Sequence, residues 1–332
     1  MRELLGDLSE VRNARCLSSA TASVSPGRVL RSATTAFASD ADVATLVSGL
    51  SVAHIMDLRS NEEIDKDPPA GSGQGLARAV TRDLQYERAS SSSAPAQALA
   101  VRELVAPAGG GDAPGGPGLT RHRVAIMDRE RFYKALLARM AGSDPLTLVA
   151  SLVTRVFDGQ RAQDMLLAKV NAGGLPLLYE VLLDTSGPEL CAALRTVTEC
   201  AERREPLLFY CKAGKDRTGL VAMLLLSVMG ATDEQIVEDY YLSDLNRKMA
   251  LGDIAKDDEL RKLDKSIFNG APREAMEHVL SYIRGRYGDR DGYLDRIGFG
   301  AAWRDRLRAA LEADGESLPS ARSSEGGPGG PA

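Results

Sequence analysis

The stretch "FYCKAGKDRTG" (residues 209–219) lies between two apolar runs, "PLLFY" (206–210) before it and "LVAMLLLSVM" (220–229) after it. A short apolar run, a polar loop with glycines and a longer apolar run read as a buried strand, a tight loop and a core helix. One cysteine, three cations and two glycines are costly in a core and needless in an ordinary turn, so the loop is built to hold something. A loop that opens a helix presents free backbone N–H groups beside the positive end of the helix dipole, which makes an anion cradle. Gly214 and Gly219 let the backbone turn tightly and approach a ligand. Arg217 adds a planar fork suited to two phosphoryl oxygens, and Lys212 and Lys215 add positive potential. The same field acts on Cys211. A free thiol titrates near 8.5, and helix N-termini with nearby cations lower this to roughly 3.5–7.5. A thiolate beneath a bound oxyanion meets the two needs of displacing an alkoxide or phenoxide from phosphorus through a phosphocysteine. The bland alternative is a buried structural thiol beside solvating cations. A Walker-type phosphate loop fits poorly, because Lys215 is followed by Asp216 where that motif needs Ser or Thr.

The surrounding chain has 332 residues, 44% hydrophobic and 26% charged, which is ordinary globular composition with enough length for a sizeable core. A net charge of −5 argues against general binding to nucleic acid or anionic membranes. The opening "MRELLGDLSE" shows no apolar h-region of a secretory signal, and "GLVAMLLLSVMGA" (219–231) is too short to span a bilayer. Four cysteines (Cys16, Cys191, Cys200, Cys211) form no CxxC pair or ordered Cys/His spacing. That argues against a zinc motif or a disulfide scaffold and suits a reducing, cytoplasmic setting. His54, His122 and His278 stand in no catalytic motif and read as core or surface residues.

Only three strands are persuasive: "GRVLRSA" (27–33), "VAHIMDL" (52–58) and "PLLFY". Between and after them the pattern is helical. A helix is expected from Ser39 to Gly49, with Ser39 as its cap. Others fall on "DRERFYKALLARM" (128–140), "LTLVASLVTRVF" (146–157), "AQDMLLAKVNAGG" (162–174, with a glycine C-cap) and "GPELCAALRTVTECAERR" (187–204). "TDEQIVEDYYLSD" (232–244) opens with a Thr232/Gln235 capping box, and helices recur at 272–286 and 301–313. The expected fold is therefore α/β, a small, mostly parallel sheet surrounded by many helices, with the quoted loop at the carboxyl end of a strand where open sheets bind ligands. The expected organisation is an N-terminal segment 1–26 and one domain over 27–313. Within it, 89–119 is a flexible Ser/Ala/Pro/Gly-rich insertion and 131–173 a helical insertion or lid; 314–332 is a disordered tail.

"CKAGKDRTG" resembles the signature of the bacterial-type tyrosine and dual-specificity cysteine phosphatases, H-C-x-x-G-K-D-R-T-G. The resemblance extends to "GRVLRSA", "HIMDLRSNEEIDKDP" (54–68), "LLYEVLL" (177–183), "IVEDYYLSD" (236–244) and "YGDRDGYLDRIGF" (287–299), in order, over roughly 27–70 and 175–311. It implies a cysteine-phosphatase fold with Cys211 as nucleophile and Arg217 as the phosphoryl-binding cation. The backbone from Lys212 through Ala213, Gly214 and Lys215 would line the cradle, and Thr218 would hydrogen-bond the departing sulfur. Substrates would be phosphorylated proteins or phosphoinositides, with no cofactor, no metal and no nucleic acid; partner proteins are not implied. Lys212 and Lys215 also resemble the paired lysines of a phosphoinositide 3-phosphatase loop, which implies tolerance of highly anionic headgroups.

The leaving oxygen needs a proton donor within reach, and both Asp216 and Asp57 qualify by position. Asp57 could equally be a salt-bridge or cap partner of Arg59, itself a candidate for substrate contact, and Asp216 could brace Lys215. Glu62, Glu63 and Asp65 read as a solvated first helical turn. The sequence departs from the family twice: Tyr210 replaces the usual histidine, and the early N-F-R-D-L-G-G segment is eroded to "NARCLSS" (13–19), so that a phosphoryl contact made there would be missing. Two rivals remain from other classes, a rhodanese-like sulfurtransferase and a weakly active phosphate-binding module.

Overall fold

The computed structural model describes residues 5–68, 75–88, 99–105, 118–143, 159–245 and 264–312. Seven strands form one sheet: β1 (Arg15–Cys16), β2 (Val29–Ser32), β3 (His54–Asp57), β4 (Val80–Arg88), β5 (Leu99–Leu104), β6 (Leu119–Arg123) and β7 (Leu207–Tyr210), in the order β1-β2-β7-β3-β6-β4-β5. The β2–β7, β7–β3, β3–β6 and β6–β4 pairs are parallel, and only the edge strands β1 and β5 run antiparallel to their neighbours. The α/β, mostly parallel architecture matches the expectation, but the sheet is larger than three strands. The reason is compositional. β4 ("VTRDLQYER") and β6 ("LTRHR") are full of charges that hide the apolar pattern of a strand. Those charges pair inside the sheet: the buried Asp83 carboxylate accepts from Arg121 and Arg123.

β7 is buried along its whole length, as a central parallel strand with both faces covered must be. Leu207, Phe209 and Cys211 face one core, with Met56, Leu190, Leu194 and Leu220. Leu208 and Tyr210 face the other, with Val11, Leu30, Val43 and Ile55. The second core is closed by helix α1 (Asp40–Ala44), which Ser39 caps through a reciprocal box with Asp42 and which continues as a π turn to Gly49. The first core carries most of the helices. They are α3 (Arg129–Ser143), α4 (Gly159–Thr185), α5 (Gly187–Glu202), α6 (Asp216–Val228), α7 (Asp233–Leu245), α8 (Lys265–Phe268), α9 (Arg273–Tyr287), α10 (Arg290–Ile297) and α11 (Ala301–Leu311). A short helix α2 (Asn61–Ile64) follows β3. α6 is apolar all round because it is enclosed all round; Leu220 to Leu226 are at most 1% exposed.

The expected glycine stop at 173–174 is real: Gly174 leaves helical geometry at φ 59°, and Pro176 begins the second half of α4. The Thr232/Gln235 box caps α7. The helix expected over "LTLVASLVTRVF" lies in 144–158, outside the described residues, as do most of 89–119 and the tail from 313. Within 89–119, however, Leu99–Leu104 forms β5 on the edge of β4. The N-terminal segment is likewise joined to the sheet through β1, with Val11, Leu17 and Val24 buried.

The register decides where chemistry can occur. Ser32, Tyr210, Asp57 and Arg123 align across β2, β7, β3 and β6, so the loops after these strands leave from one edge. That edge carries the quoted loop.

Candidate active site

Cys211 follows the last residue of β7, and the chain turns through Lys212–Lys215 before α6 begins at Asp216. Gly214 makes the turn at φ 64°, and a Cβ there would sit 2.3 Å from the Ser32 carbonyl oxygen. Only glycine fits, for both reasons. The carbonyls of Lys212, Ala213 and Gly214 are each held by a donor from the N-terminal part of the chain. Thr34 N–H donates to Lys212 O (3.1 Å). Asn13 Nδ2 donates to Ala213 O (3.2 Å) and Gly214 O (3.0 Å), and Arg31 donates to Gly214 O (2.9 Å). A trans peptide plane points its C=O and the next N–H in opposite directions. Holding the carbonyls of 212–214 therefore turns the amides of Ala213, Gly214 and Lys215 the other way, and among the described residues no backbone carbonyl accepts from them.

The braces are themselves braced. Arg31 is fully buried and pairs with Asp239 of α7, which also accepts from Arg15 Nε (2.8 Å). Arg15 in turn donates to Asn13 Oδ1 (2.6 Å). Burial and the neighbouring Arg15 bring Arg31 down to about 10 despite Asp239. Burial alone would raise Asp239, and the two arginines reverse this and hold it below the usual carboxylate range. The eroded-looking "NARCLSS" segment thus does not lose contact with the site: Asn13 and Arg15 anchor the loop from behind.

Arg217, in the first turn of α6, is buried and meets Glu63 of α2 end-on. Its Nη1 donates to one carboxylate oxygen and its Nη2 to the other (2.8 Å). Glu63 is thus no part of a solvated turn. Ser60 caps α2 in a reciprocal box with it, so the short helix and the ion pair form together. Burial would raise Glu63, but the charge and bonds of Arg217, helped by Ser60 N–H and Arg59, bring it down to about 2. Burial works against the Arg217 cation, and Glu63 outweighs it and raises Arg217 further. An end-on carboxylate takes one hydrogen from each terminal nitrogen and leaves the Nε edge of the guanidinium for a second anion. Cys211, a residue only 2% exposed, lies within electrostatic range of both Arg31 and Arg217.

The remaining candidates divide. Asp57 is fully buried, and Arg59 donates to both of its oxygens (2.9 and 2.7 Å), so it is the salt-bridge partner and not exposed to a leaving group. Arg59 donates also to both oxygens of Asp67 and lies 5.7 Å above the Tyr210 ring, so four of its five side-chain hydrogens are taken by the two carboxylates. Asp216 is partly exposed (26% of its side chain) and accepts from Tyr179 OH at 2.7 Å, with Lys215 Nζ at 3.2 Å. The Tyr179 and Tyr240 hydroxyls are bonded at 2.6 Å. Lys215 donates to Phe268 O (2.6 Å) and Gly270 O (2.7 Å), so its ammonium ties down the segment around α8. Gly219 serves packing: a Cβ would lie 3.1 Å from the Tyr240 ring. Thr218 Oγ1 is buried and makes no hydrogen bond, so the expected contact with sulfur is not formed. Tyr210 points into the opposite core, where burial and Asp57 push its phenol up.

Sequence reading missed Asn13, Arg15, Arg31, Glu63, Asp239 and Tyr179. All lie outside the loop in sequence; Arg31, Glu63, Tyr179 and Asp239 fall within the segments that resemble the family, and that resemblance was their only signal. The open cleft between the end of α6 and the start of α10, lined by Ser227, Val228, Gly230, Asp289 and Arg308, lies at the far end of α6 from Cys211.

A profile described as the tyrosine phosphatase family matches residues 6–313. Among curated proteins, the chain is similar to a putative tyrosine-protein phosphatase of Cupriavidus necator (32% identical over 88 residues, 26% of this chain and 32% of the relative). It is also similar to a tyrosine-protein phosphatase of Nostoc commune (32% over 124 residues, 33% and 40%). A third relative is the triple specificity protein phosphatase PtpB of Mycobacterium tuberculosis (32% over 132 residues, 35% and 47%). The chain thus spans from 32% to 47% of the length of these relatives. With the family profile covering nearly the whole sequence and the signature loop folded as a strand–loop–helix, the chain belongs to the tyrosine phosphatase family.

Proposed function

We propose that the protein hydrolyses phosphate monoesters through a phosphocysteine on Cys211, acting on phosphotyrosine and other phosphorylated residues of proteins. The observation that carries this reading is the loop whose carbonyls are held outward by Asn13, Arg31 and Thr34, which turns its amides inward beside Cys211 and Arg217. Those amides and the Nε edge of Arg217 hold the three non-bridging phosphoryl oxygens, which stabilises the charge of the transition state. The sulfur attacks phosphorus in line, the phosphorus–oxygen bond breaks, and the leaving oxygen takes a proton from Asp216. Asp216 is favoured over Asp57 because it is the partly exposed acid of the two. In the second step water attacks phosphorus, the sulfur–phosphorus bond breaks, and Asp216 takes the proton back. We assign Thr218 Oγ1, which is buried without a hydrogen-bond partner, the role of donating to the departing sulfur, a contact that would have to form during the reaction.

Lys215 is committed to two carbonyls, which takes one lysine of the doubly basic loop away from a phosphoinositide headgroup. α3 and the first half of α4 pack on each other through Phe132, Leu136 and Val170, and we assign them a lid over the loop. The catalytic unit is one domain, 27–313, with 1–26 attached through β1. All four cysteines are free thiols, which suits a reducing cytoplasm, and no helix among the described residues is long and apolar enough to cross a membrane. The test is a substrate panel under reductant: phosphotyrosine, phosphoserine and phosphothreonine peptides against phosphoinositides. Phosphopeptides turning over faster supports the reading. Turnover of lipids alone contradicts the substrate class, and vanadate binding without any turnover makes the chain a phosphate-binding module.

A further inference from the structure

A second cluster of reactive side chains lies on the same face of the sheet, toward the amino ends of the parallel strands. His54 opens β3, His122 lies in β6 and Cys200 in the last turn of α5; all three are buried. In the parallel register His54 is opposite Thr120, so His122 is its diagonal neighbour on one face. One ring nitrogen from each histidine and Cys200 Sγ all lie within 4.8 Å of one another. Along the strands, His54 is level with Leu207, four residues before Cys211 and so roughly 13 Å from it.

The partners of the two rings give the cluster a direction. His54 Nδ1 and His122 Nε2 face each other at 3.1 Å. Each ring's outer nitrogen is held by another group: His54 Nε2 by the Glu205 carboxylate (2.8 Å), His122 Nδ1 by the Tyr86 hydroxyl (3.0 Å). Glu205 is fixed by Arg203 Nε (2.7 Å), and Tyr86 OH accepts from Thr196 (3.3 Å). Metal-ligating histidines have this pattern, with one nitrogen on the ion and the other oriented by a carboxylate or another polar group. Two imidazoles and a thiol are a donor set for a borderline-soft divalent ion.

The geometry points to a metal site: His54 Nδ1, His122 Nε2 and Cys200 Sγ bind a divalent transition-metal ion of the zinc class, with solvent in the fourth position. The Cys200 thiol proton leaves to solvent as the sulfur–metal bond forms. Glu205, 39% exposed at its side chain, marks the side from which the ion enters. The ion joins β3, β6 and the end of α5, elements that come from three distant parts of the chain, and takes no part in the chemistry at Cys211. The signal is invisible in sequence because the three ligands are 68 and 78 residues apart, without any motif spacing.

The test is a cobalt titration of the full chain, first stripped by chelator under reductant, read by the thiolate-to-cobalt charge-transfer absorption. The expected result is one equivalent of tetrahedral cobalt, displaced by zinc, with a rise in melting temperature. Cys200→Ser should lose the charge-transfer band and Cys211→Ser should keep it. Glu205→Gln should weaken binding by about tenfold or more, as loss of a ligand-orienting partner does. Should Cys200→Ser fail to fold, His122→Gln answers the same question through loss of stoichiometric binding. Absence of the band in the wild-type chain, its survival in Cys200→Ser, or its loss in Cys211→Ser overturns the proposal.

Discussion

Replacing Glu63 with glutamine removes one charge while leaving the size of the side chain and one acceptor in place. The buried Arg217 then keeps its cation without a counter-charge. Glu63 moves from 4.5 to about 2 on folding. At about 1.4 kcal/mol per pH unit, its charged form is worth on the order of 3 kcal/mol to the folded state. The sign follows from the direction of the shift. The unfolded chain takes up this proton near 4.5 and the folded chain only near 2, so the contribution is complete above pH 4.5 and is lost as pH falls through 2. Urea unfolding at pH 7 should show Glu63→Gln less stable by about 2–3 kcal/mol, with the gap to wild type narrowing below pH 4.5. Because Glu63 also fixes the plane of Arg217, vanadate should bind the variant more weakly by about tenfold or more. Equal stability at pH 7 together with unchanged vanadate inhibition would refute the reasoning, since the ion pair would then neither stabilise the fold nor position the fork.

Asn13→Ala removes two donors from the loop carbonyls and should cost about 1–3 kcal/mol in stability and reduce turnover on a phosphotyrosine peptide; equal rates would show that the amides need no such bracing. Gly214→Ala adds at least about 1–2 kcal/mol of left-handed strain and drives a Cβ into the end of β2, so oxyanion binding should be lost while far-ultraviolet dichroism is largely kept. Asp216→Asn should slow substrates with poor leaving groups much more than p-nitrophenyl phosphate, whose leaving group needs little protonation; equal slowing on both would remove Asp216 as the proton donor.

The centre of the fold was legible because its signals are local. "PLLFY", the loop and α6 are consecutive, and the two other strands recognised in the sequence, β2 and β3, are the direct neighbours of β7. The outer strands were not, because their charges are satisfied by one another across the sheet and leave no alternation to read, as Asp83 with Arg121 and Arg123 shows. Within the candidate site, Cys211 and Arg217 are legible because they lie in one consecutive loop whose residue types and family resemblance single them out. Asn13 and Arg31 reach the loop from 201 and 183 positions away and Glu63 reaches Arg217 from 154, and contacts of that range leave no periodic trace. The same limit hides the partners of Arg59 and Lys215: both read as substrate cations in sequence, and Asp57 with Asp67 and the carbonyls of Phe268 and Gly270 come to them only through tertiary packing. Tyr210 illustrates the converse: a replacement beside the nucleophile looks damaging in sequence, yet strand alternation sends its side chain into the core opposite Cys211.

The most direct measurement of the central claim is acid-quenched mass spectrometry of the enzyme during turnover of a phosphotyrosine peptide. The account predicts a single phosphoryl adduct on the peptide that contains Cys211, formed and lost at rates compatible with turnover and absent from Cys211→Ser, which should be inactive. Turnover without any adduct on Cys211, or sustained turnover by Cys211→Ser, would contradict it.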